Sequence, residues 1–576
     1  MAGLKSSLSP TQRFIRLLKP DAREVRNLYV YALFHGLVYL SLPLGIQAII
    51  NLIQGGQVST SWIILTVIVV IGIGLTGLLQ IYQLRISENL QQKIFARAAF
   101  EFAYRLPKMR TEELYRHYAP ELMNRFFDVL TVQKGLSKIL VDFSVSSIQV
   151  VLGMILLSLY HPFFIAFGVI LILLVLGIFS LTAKPGLDTS LKESKYKYKL
   201  AHWLEEVART ASTFKLAGKT DMSLNRTDRH VSDYLGAREK HFKIILRQYG
   251  LMVVFKVLVA FGLLAIGGYL VIQQRLNIGQ FVAAEIIVLY VMSSVEKLVL
   301  SLETIYDVLT GLEKIGQVTD LELEQSTGID LRTVPCTNGM EMEIDNVSFR
   351  YPEGKFDVLK DISMHIQKGE RIALTGSNGS GKSSLLYIMA SLYEPTRGAI
   401  AYSGIPQKDL QIESLHSSIG DCLTSGLLFE GTVLENIAMG REPATFERVQ
   451  WAVEAVGLSD FIRTMSDGYH TVLDPLGEKL PRGVISRFLL ARAIVDMPQL
   501  LLLEEALEHI DDADKSGLMD FLTSRDRPWT LVAVTRNPNF IELCDRAAIM
   551  EAGRVQLMAP CDDPIIKAQL RKSADA

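Results

Sequence analysis

Gly376-Ser377-Asn378-Gly379-Ser380-Gly381-Lys382-Ser383 is a complete G-x-x-x-x-G-K-[ST] string. It sits between a run with strand character, Arg371 to Thr375, and a run with helix character, Ser384 to Leu392. In that context the string reads as a triphosphate cradle. Its glycines let the chain curl until backbone N–H groups converge on the β-phosphate, Lys382 neutralises β/γ oxygens, and the Ser383 hydroxyl is placed to ligate Mg²⁺.

Working outward, the 576 residues leave room for several domains, and most of the apolar excess lies before residue 301. A net charge of -2 argues against nucleic acid as the main partner, since no domain-wide basic surface is implied. Cys336, Cys422, Cys544 and Cys561 show no C-x-x-C or Cys/His spacing, which argues for reduced thiols and against a disulfide framework or metal cluster. The N-terminus is basic but lacks a short apolar core with a cleavage site, so no removable signal peptide is expected.

Six runs are long enough to cross a hydrocarbon core, which takes roughly 20 helical residues. They are Asn27–Ile53, Trp62–Leu84, Ile139–Tyr160, Phe163–Leu181, Tyr249–Ile272 and Phe281–Ser301. Lys and Arg crowd the leader and the two long loops (Arg85 to Arg110, Lys184 to Lys199), whereas Gln54–Ser61, His161–Pro162 and Gln273–Gln280 carry only Arg275. By the positive-inside rule both termini are cytoplasmic and the outer face is nearly bare, which excludes an extracellular receptor or enzyme domain. Arg85–Leu106 and Glu121–Leu136 have helical apolar spacing and are expected to extend below the bilayer, with contacts to the nucleotide-binding domain near Lys108–Pro120 and Ser212–Lys219. Lys256 and Glu296 fall at similar depth in antiparallel spans and are expected to pair; Glu285 has no such match.

After a linker, the order of elements resembles the ATPase domain of an ABC transporter, and with six spans in front the whole chain resembles an ABC exporter half-transporter. The style is nearest to bacterial type I secretion and peptide- or toxin-exporting members. Val347-Ser348-Phe349-Arg350-Tyr351 resembles the segment whose aromatic stacks on adenine, a role the resemblance gives to Tyr351. Further along, the family's pattern is broken. Leu428-Phe429-Glu430-Gly431-Thr432 puts Thr424 where the family has its loop Gln, and Leu480-Pro481-Arg482-Gly483-Val484 stands where the family has Leu-Ser-Gly-Gly-Gln. Leu500–Leu503 ends in Glu504-Glu505 in place of Asp-Glu, Asp511 matches the end of the D-loop, and Val534-Thr535-Arg536 occupies the switch-histidine position.

The resemblance implies a multidomain membrane protein: an all-α six-helix transmembrane domain with long cytoplasmic helical extensions, followed by an α/β P-loop ATPase domain. The expected divisions are a leader at 1–26, the transmembrane domain at 27–302, a linker at 303–338 and the nucleotide-binding domain at 339–576. ATP and Mg²⁺ are the implied cofactors. Implied ATP contacts are Tyr351, Gly376, Ser377, Asn378, Gly379, Ser380, Gly381, Lys382, Ser383, Ser384 and Arg536, with Ser383 and Glu504 toward the metal and Glu505 as general base. Arg536 would clamp the γ-phosphate without the proton chemistry of His. ATPase domains of this family work as head-to-tail pairs, so degenerate motifs imply a more intact partner half-transporter, with a slowly hydrolysing homodimer, or a regulatory or structural subunit that only binds ATP, as the alternatives. An exporter in the bacterial inner membrane is implied by analogy. Cargo and any periplasmic adaptor stay open.

Overall fold

The computed structural model describes residues 9–54, 60–117, 119–334, 338–424 and 426–567. Cys336 and most of the connection between the first two apolar runs lie outside them. The chain divides into two compact units: Met1–Pro107 with His117–Leu321, and Lys108–Arg116 with Glu322–Ala576.

The first unit is helical, with six helical segments long and apolar enough to cross a membrane. It runs α1 (Pro10–Leu18), α2 (Ala22–Tyr39), α3 (Ser41–Gln54), α4 (Thr60–Arg105), then, after α5 (Thr111–Arg116) of the second unit, α6 (Ala119–Asn124), α7 (Phe127–Lys138), α8 (Ser144–Tyr160), α9 (Phe163–Arg209), α10 (Ala211–Leu216), α11 (Met222–Gly262), α12 (Gly268–Ile272) and α13 (Ile278–Thr319). Ile63, Ile64, Ile68 and Ile71 of α4 are all more than half exposed, which a helix tolerates in lipid and not in water. The protein is an integral membrane protein.

Several sequence boundaries shift for identifiable reasons. The first apolar run breaks between Tyr39 and Ser41; Pro43 has no N–H for the carbonyl four residues back and its ring crowds it. The run at Glu121–Leu136 is divided at Arg125–Phe126, where short turn bonds replace helical ones. Helix α13 does not stop at the end of its apolar span but continues to Thr319, because Tyr306, Val308, Leu312 and Val318 are buried. Arg13 of α1 grips its far end, donating to both Asp320 carboxylate oxygens at 2.9 and 2.6 Å. Gly316 makes room for this, since a Cβ there would lie 2.1 Å from the Arg13 guanidinium. The expected Lys256–Glu296 pair is present, with Nζ 2.6 Å from a carboxylate oxygen.

The described part of the second unit carries two large sheets and a two-stranded pair. β1 (Met342–Phe349), β2 (Leu359–Ile366), β4 (Arg397–Tyr402) and β5 (Ile405–Pro406) form an antiparallel sheet in the order β2-β1-β4-β5. β3 (Arg371–Gly376), β6 (Ile419–Cys422), β9 (Leu500–Glu504), β10 (Thr530–Val534), β11 (Arg546–Glu551) and β12 (Arg554–Pro560) form the other, ordered β12-β11-β3-β10-β9-β6. Its inner strands are parallel and read as unbroken apolar runs, as strands covered on both faces must. Among the helices here are α14 (Lys382–Met389), α15 (Ile412–Ser417), α16 (Val433–Ala438), α17 (Phe446–Ala455), α18 (Ser459–Thr464), α19 (Arg482–Ile494), α20 (Asp512–Thr523) and α21 (Pro538–Glu542); the pair β7 (Gly431–Thr432) and β8 (Val472–Leu473) closes the helical part. Cys422, Cys544 and Cys561 are free and buried.

Candidate functional site

Three neighbouring parallel strands deliver the site. Leu374 of β3 lies opposite Val534 of β10, which in turn lies opposite Glu504 of β9. Adjacent strands are about 4.8 Å apart, so the residues just beyond their carboxyl ends converge within about 10 Å. Those residues are the Gly376–Ser383 loop, Glu505, and Thr535-Arg536.

The loop depends on its glycines. Gly376, Gly379 and Gly381 have φ of +141, +76 and +100°. A Cβ on Gly376 would sit 2.1 Å from the Met550 carbonyl oxygen and one on Gly381 2.9 Å from Leu359, whereas at Gly379 nothing lies within 4 Å. Protein closes around the outer two; the middle one leaves open space where phosphate oxygens can approach backbone. Helix α14 starts at Lys382 without a side-chain cap, so its first N–H groups are left for an anion. Lys382 Nζ donates to the carbonyls of Gly376 at 3.0 Å and Ser377 at 2.8 Å, holding the ammonium over the loop. Burial, then the nearby Arg536, lower its pKa, while Glu505 and Glu504 oppose the shift. Ser380 is buried beneath it, and Ser383 lies in the first turn of α14.

Arg536 reaches the loop: its guanidinium donates to the Asn378 side chain. Thr535 is at the strand end itself, its N–H bonded to the Leu374 carbonyl at 3.2 Å and its hydroxyl accepting from Asn537 N–H at 3.1 Å. Glu504 is buried, and its carboxylate accepts from the Thr424 backbone N–H at 3.0 Å. A comparison of Thr424 with Gln by side chain alone cannot reveal this backbone bond. Glu505 adopts φ of +50°, tied by its own N–H to the Val534 carbonyl at 3.0 Å. It lines a cavity of about 300 Å³ with Glu508, His509, Lys515, Thr535 and Arg536. A non-glycine residue in this region of backbone space is uncommon.

Away from this cluster, Pro481 caps α19 without a side-chain bond, and exposed Arg482 begins the helix. Gly483 packs so closely on the loop carrying Asp511 that a Cβ would lie 2.6 Å from the His509 carbonyl. Tyr351 is not the open aromatic plate that the sequence suggests. Its hydroxyl and the Ser384 Oγ are 2.9 Å apart, Phe349 and Tyr393 meet it edge-on, and Tyr115 stacks on it with centroids 5.4 Å apart and planes 21° apart.

Tyr115 belongs to Lys108–Arg116, a segment flanked in the chain by membrane helices but counted in the second unit. Arg110 N–H donates to the Glu322 carbonyl at 3.0 Å and Glu324 N–H to the Lys108 carbonyl at 2.8 Å. Glu112 accepts from Glu394 N–H at 2.9 Å, Arg110 pairs with Glu394 at 3.0 Å, and Lys108 with Glu413 at 3.0 Å. Burial, with Glu112 and Glu413 adding to it, pushes Glu324 up to about 7 against the pull of Arg110 and Lys108. The other expected contact region, Ser212–Lys219, includes most of the short helix α10 in the first unit.

A membrane-spanning helical unit joined to a P-loop nucleotide-binding domain is therefore the class that fold and site define. The ABC transporter transmembrane region family matches residues 27–295 and the ABC transporter family residues 359–508. The chain belongs to the ABC transporter family and has the six-span layout of a half-transporter. It is 30% identical over 292 residues to a multidrug efflux ATP-binding/permease protein of Mycobacterium bovis, covering 50% of this chain and 24% of that protein. A putative multidrug export ATP-binding/permease protein of Staphylococcus aureus is 32% identical over 241 residues, 42% of either chain. The matched stretch thus spans less than half the length of these curated relatives. The solved structure of a bacterial Atm1-family ABC exporter with ATP bound shares the fold with a TM-score of 0.85 at 19% identity, over 96% of this chain and 98% of that one.

Proposed function

We propose that this chain is one half of an ATP-driven membrane exporter, binding ATP with Mg²⁺ at its own phosphate loop, hydrolysing it slowly, and paired with a half-transporter whose ATPase motifs are more intact. The observation that carries this reading is a contrast between the phosphate loop and the other motif positions. Gly376–Ser384 keeps every feature of the cradle, while Thr424, Pro481-Arg482 and Thr535-Arg536 replace the groups that the family uses for turnover. Ser383, with Glu504 behind it, would hold the metal, and Glu505 would polarise the attacking water. Loss of one positioned donor in a transfer site costs about 10²–10³ in rate, and several are altered here.

The divisions proposed are a leader at 1–26, the transmembrane domain from 27, and a nucleotide-binding domain from 339, with both termini on the cytoplasmic side of a bacterial inner membrane. The relatives are named for multidrug efflux or export, which supports outward movement of the cargo. Alternating access would then accompany nucleotide binding and release.

Purified full-length protein in lipid tests the reading. ATP binding with turnover near background, rising when a partner half-transporter co-purifies, is the expected result. A stable homodimer with strong hydrolysis that Glu505→Gln abolishes would replace the partnered reading. Failure to bind ATP would refute it altogether.

A further inference from the structure

We propose that Tyr115 is a tethered stand-in for the nucleobase: its ring stacks on Tyr351, and the purine of ATP would have to displace it. The inference rests on the phosphate-loop reading above and adds to it a positioning residue outside the nucleotide-binding domain's own sequence.

The two rings differ in how they are held. Tyr351 is fixed on several sides, by Ser384 two residues beyond Lys382, by Phe349 at 4.8 Å and by Tyr393 at 5.4 Å. Tyr115 is 53% exposed and projects from a helix of 6 residues, α5. Of the pair, Tyr115 is the one free to leave. Its placement over Tyr351, at 5.4 Å and 21°, is the offset stacking that a purine would also adopt. A Tyr phenol and a purine cannot share one ring face. Tyr351 is tied through Ser384 to the first turn of α14, so a base stacked on Tyr351 and a triphosphate on the loop belong to one ligand.

The consequence reaches past the ring. Upstream of Tyr115, Arg110 and Glu112 pin the segment to Glu394, and Lys108 pins it to Glu413. The same segment continues by covalent chain into α4 on one side and α6 on the other. Release of Tyr115 therefore loosens one attachment of a segment whose ends belong to membrane helices. Phosphates alone would not release it, because they do not touch Tyr351. Adenine is what the segment would sense.

The test separates base from phosphate. Dissociation constants for ATP and for inorganic tripolyphosphate are measured on the full-length protein in lipid nanodiscs, for wild type, Tyr115→Ala and Tyr115→Phe. Removing the competitor is expected to tighten ATP about 2- to 10-fold, the factor carried by one aromatic pair, with tripolyphosphate unchanged and Tyr115→Phe like wild type. Hydrogen exchange of residues 111–116 in the wild type is expected to quicken with ATP and not with tripolyphosphate, a readout that survives if Tyr115→Ala folds poorly. Weaker or unchanged ATP binding in Tyr115→Ala, or slowed exchange of the segment with ATP, overturns the proposal while leaving the phosphate site standing. Wild type that binds neither ligand overturns both.

Discussion

Glu504 offers a sharp test, because restoring the family's residue is expected to harm the fold locally. In Glu504→Asp the carboxylate retreats by one methylene, about 1.5 Å. The present bond to the Thr424 N–H is 3.0 Å long, so the shortened side chain leaves that donor without its acceptor. A hydrogen bond to a charged group contributes about 1.5–3 kcal/mol, and because Thr424 is exposed, water recovers part of it; about 1–2 kcal/mol remains. That corresponds to amide exchange at Thr424 roughly 5- to 30-fold faster, since 1.4 kcal/mol is tenfold. Glu504→Gln keeps both length and an acceptor oxygen, and is expected to retain most of the protection. Hydrogen exchange read by mass spectrometry over the peptide containing Leu423 and Thr424 measures this directly. Equal exchange in wild type and Glu504→Asp, or Glu504→Gln as fast as Glu504→Asp, would refute the reasoning.

Lys382→Ala is expected to weaken both ATP and tripolyphosphate by at least about 10-fold, from loss of a charge-assisted contact; equilibrium binding to the full-length protein checks it. Lys256→Glu and Glu296→Lys are each expected to lower the thermal midpoint in lipid, and the double exchange to recover most of it, since the two groups are 2.6 Å apart. Additive losses would show that the pair contributes nothing. For Glu324 the sign is set by its upward shift to about 7 from an ordinary 4.5. Between those values the folded chain keeps a proton that the unfolded chain has lost, so this group's contribution declines as pH rises from about 4.5 to 7. Glu324→Gln is therefore expected to match wild type at pH 4 and to exceed it at pH 8, by up to about 3 kcal/mol. Thermal midpoints at the two pH values decide it, and an equal gap at both would count against the shift.

The phosphate loop and the membrane runs are legible in the sequence because each is a local pattern: fixed spacing in one, uninterrupted apolarity in the other. The Lys256–Glu296 pair is legible too, since counting residues from the ends of antiparallel spans gives depth. What escapes is long-range or carried by backbone. Charges at Glu303, Asp307 and Glu313 suggest that the last span has ended, whereas burial of Tyr306 and Leu312 extends α13 well past it. Nothing near Tyr115 announces Tyr351, because 236 positions of chain separate them and only the fold closes that distance. The Thr424 side chain is too short to stand in for Gln, and its N–H makes the contact instead.

The altered residues nevertheless share a logic that their separate positions conceal. With Lys382, Arg536 sets two basic groups around the phosphate loop, faced by Glu504 and Glu505. A histidine there would exchange a proton or accept a bond as the reaction proceeds; a guanidinium already bonded to Asn378 attracts phosphate charge before, during and after the transfer. Attraction that is the same for ground and transition states tightens binding without lowering the barrier between them. On the reading proposed above, a cradle with its backbone intact and its static charge increased would favour keeping a nucleotide in place, which is the behaviour expected of a chain whose partner half carries the turnover.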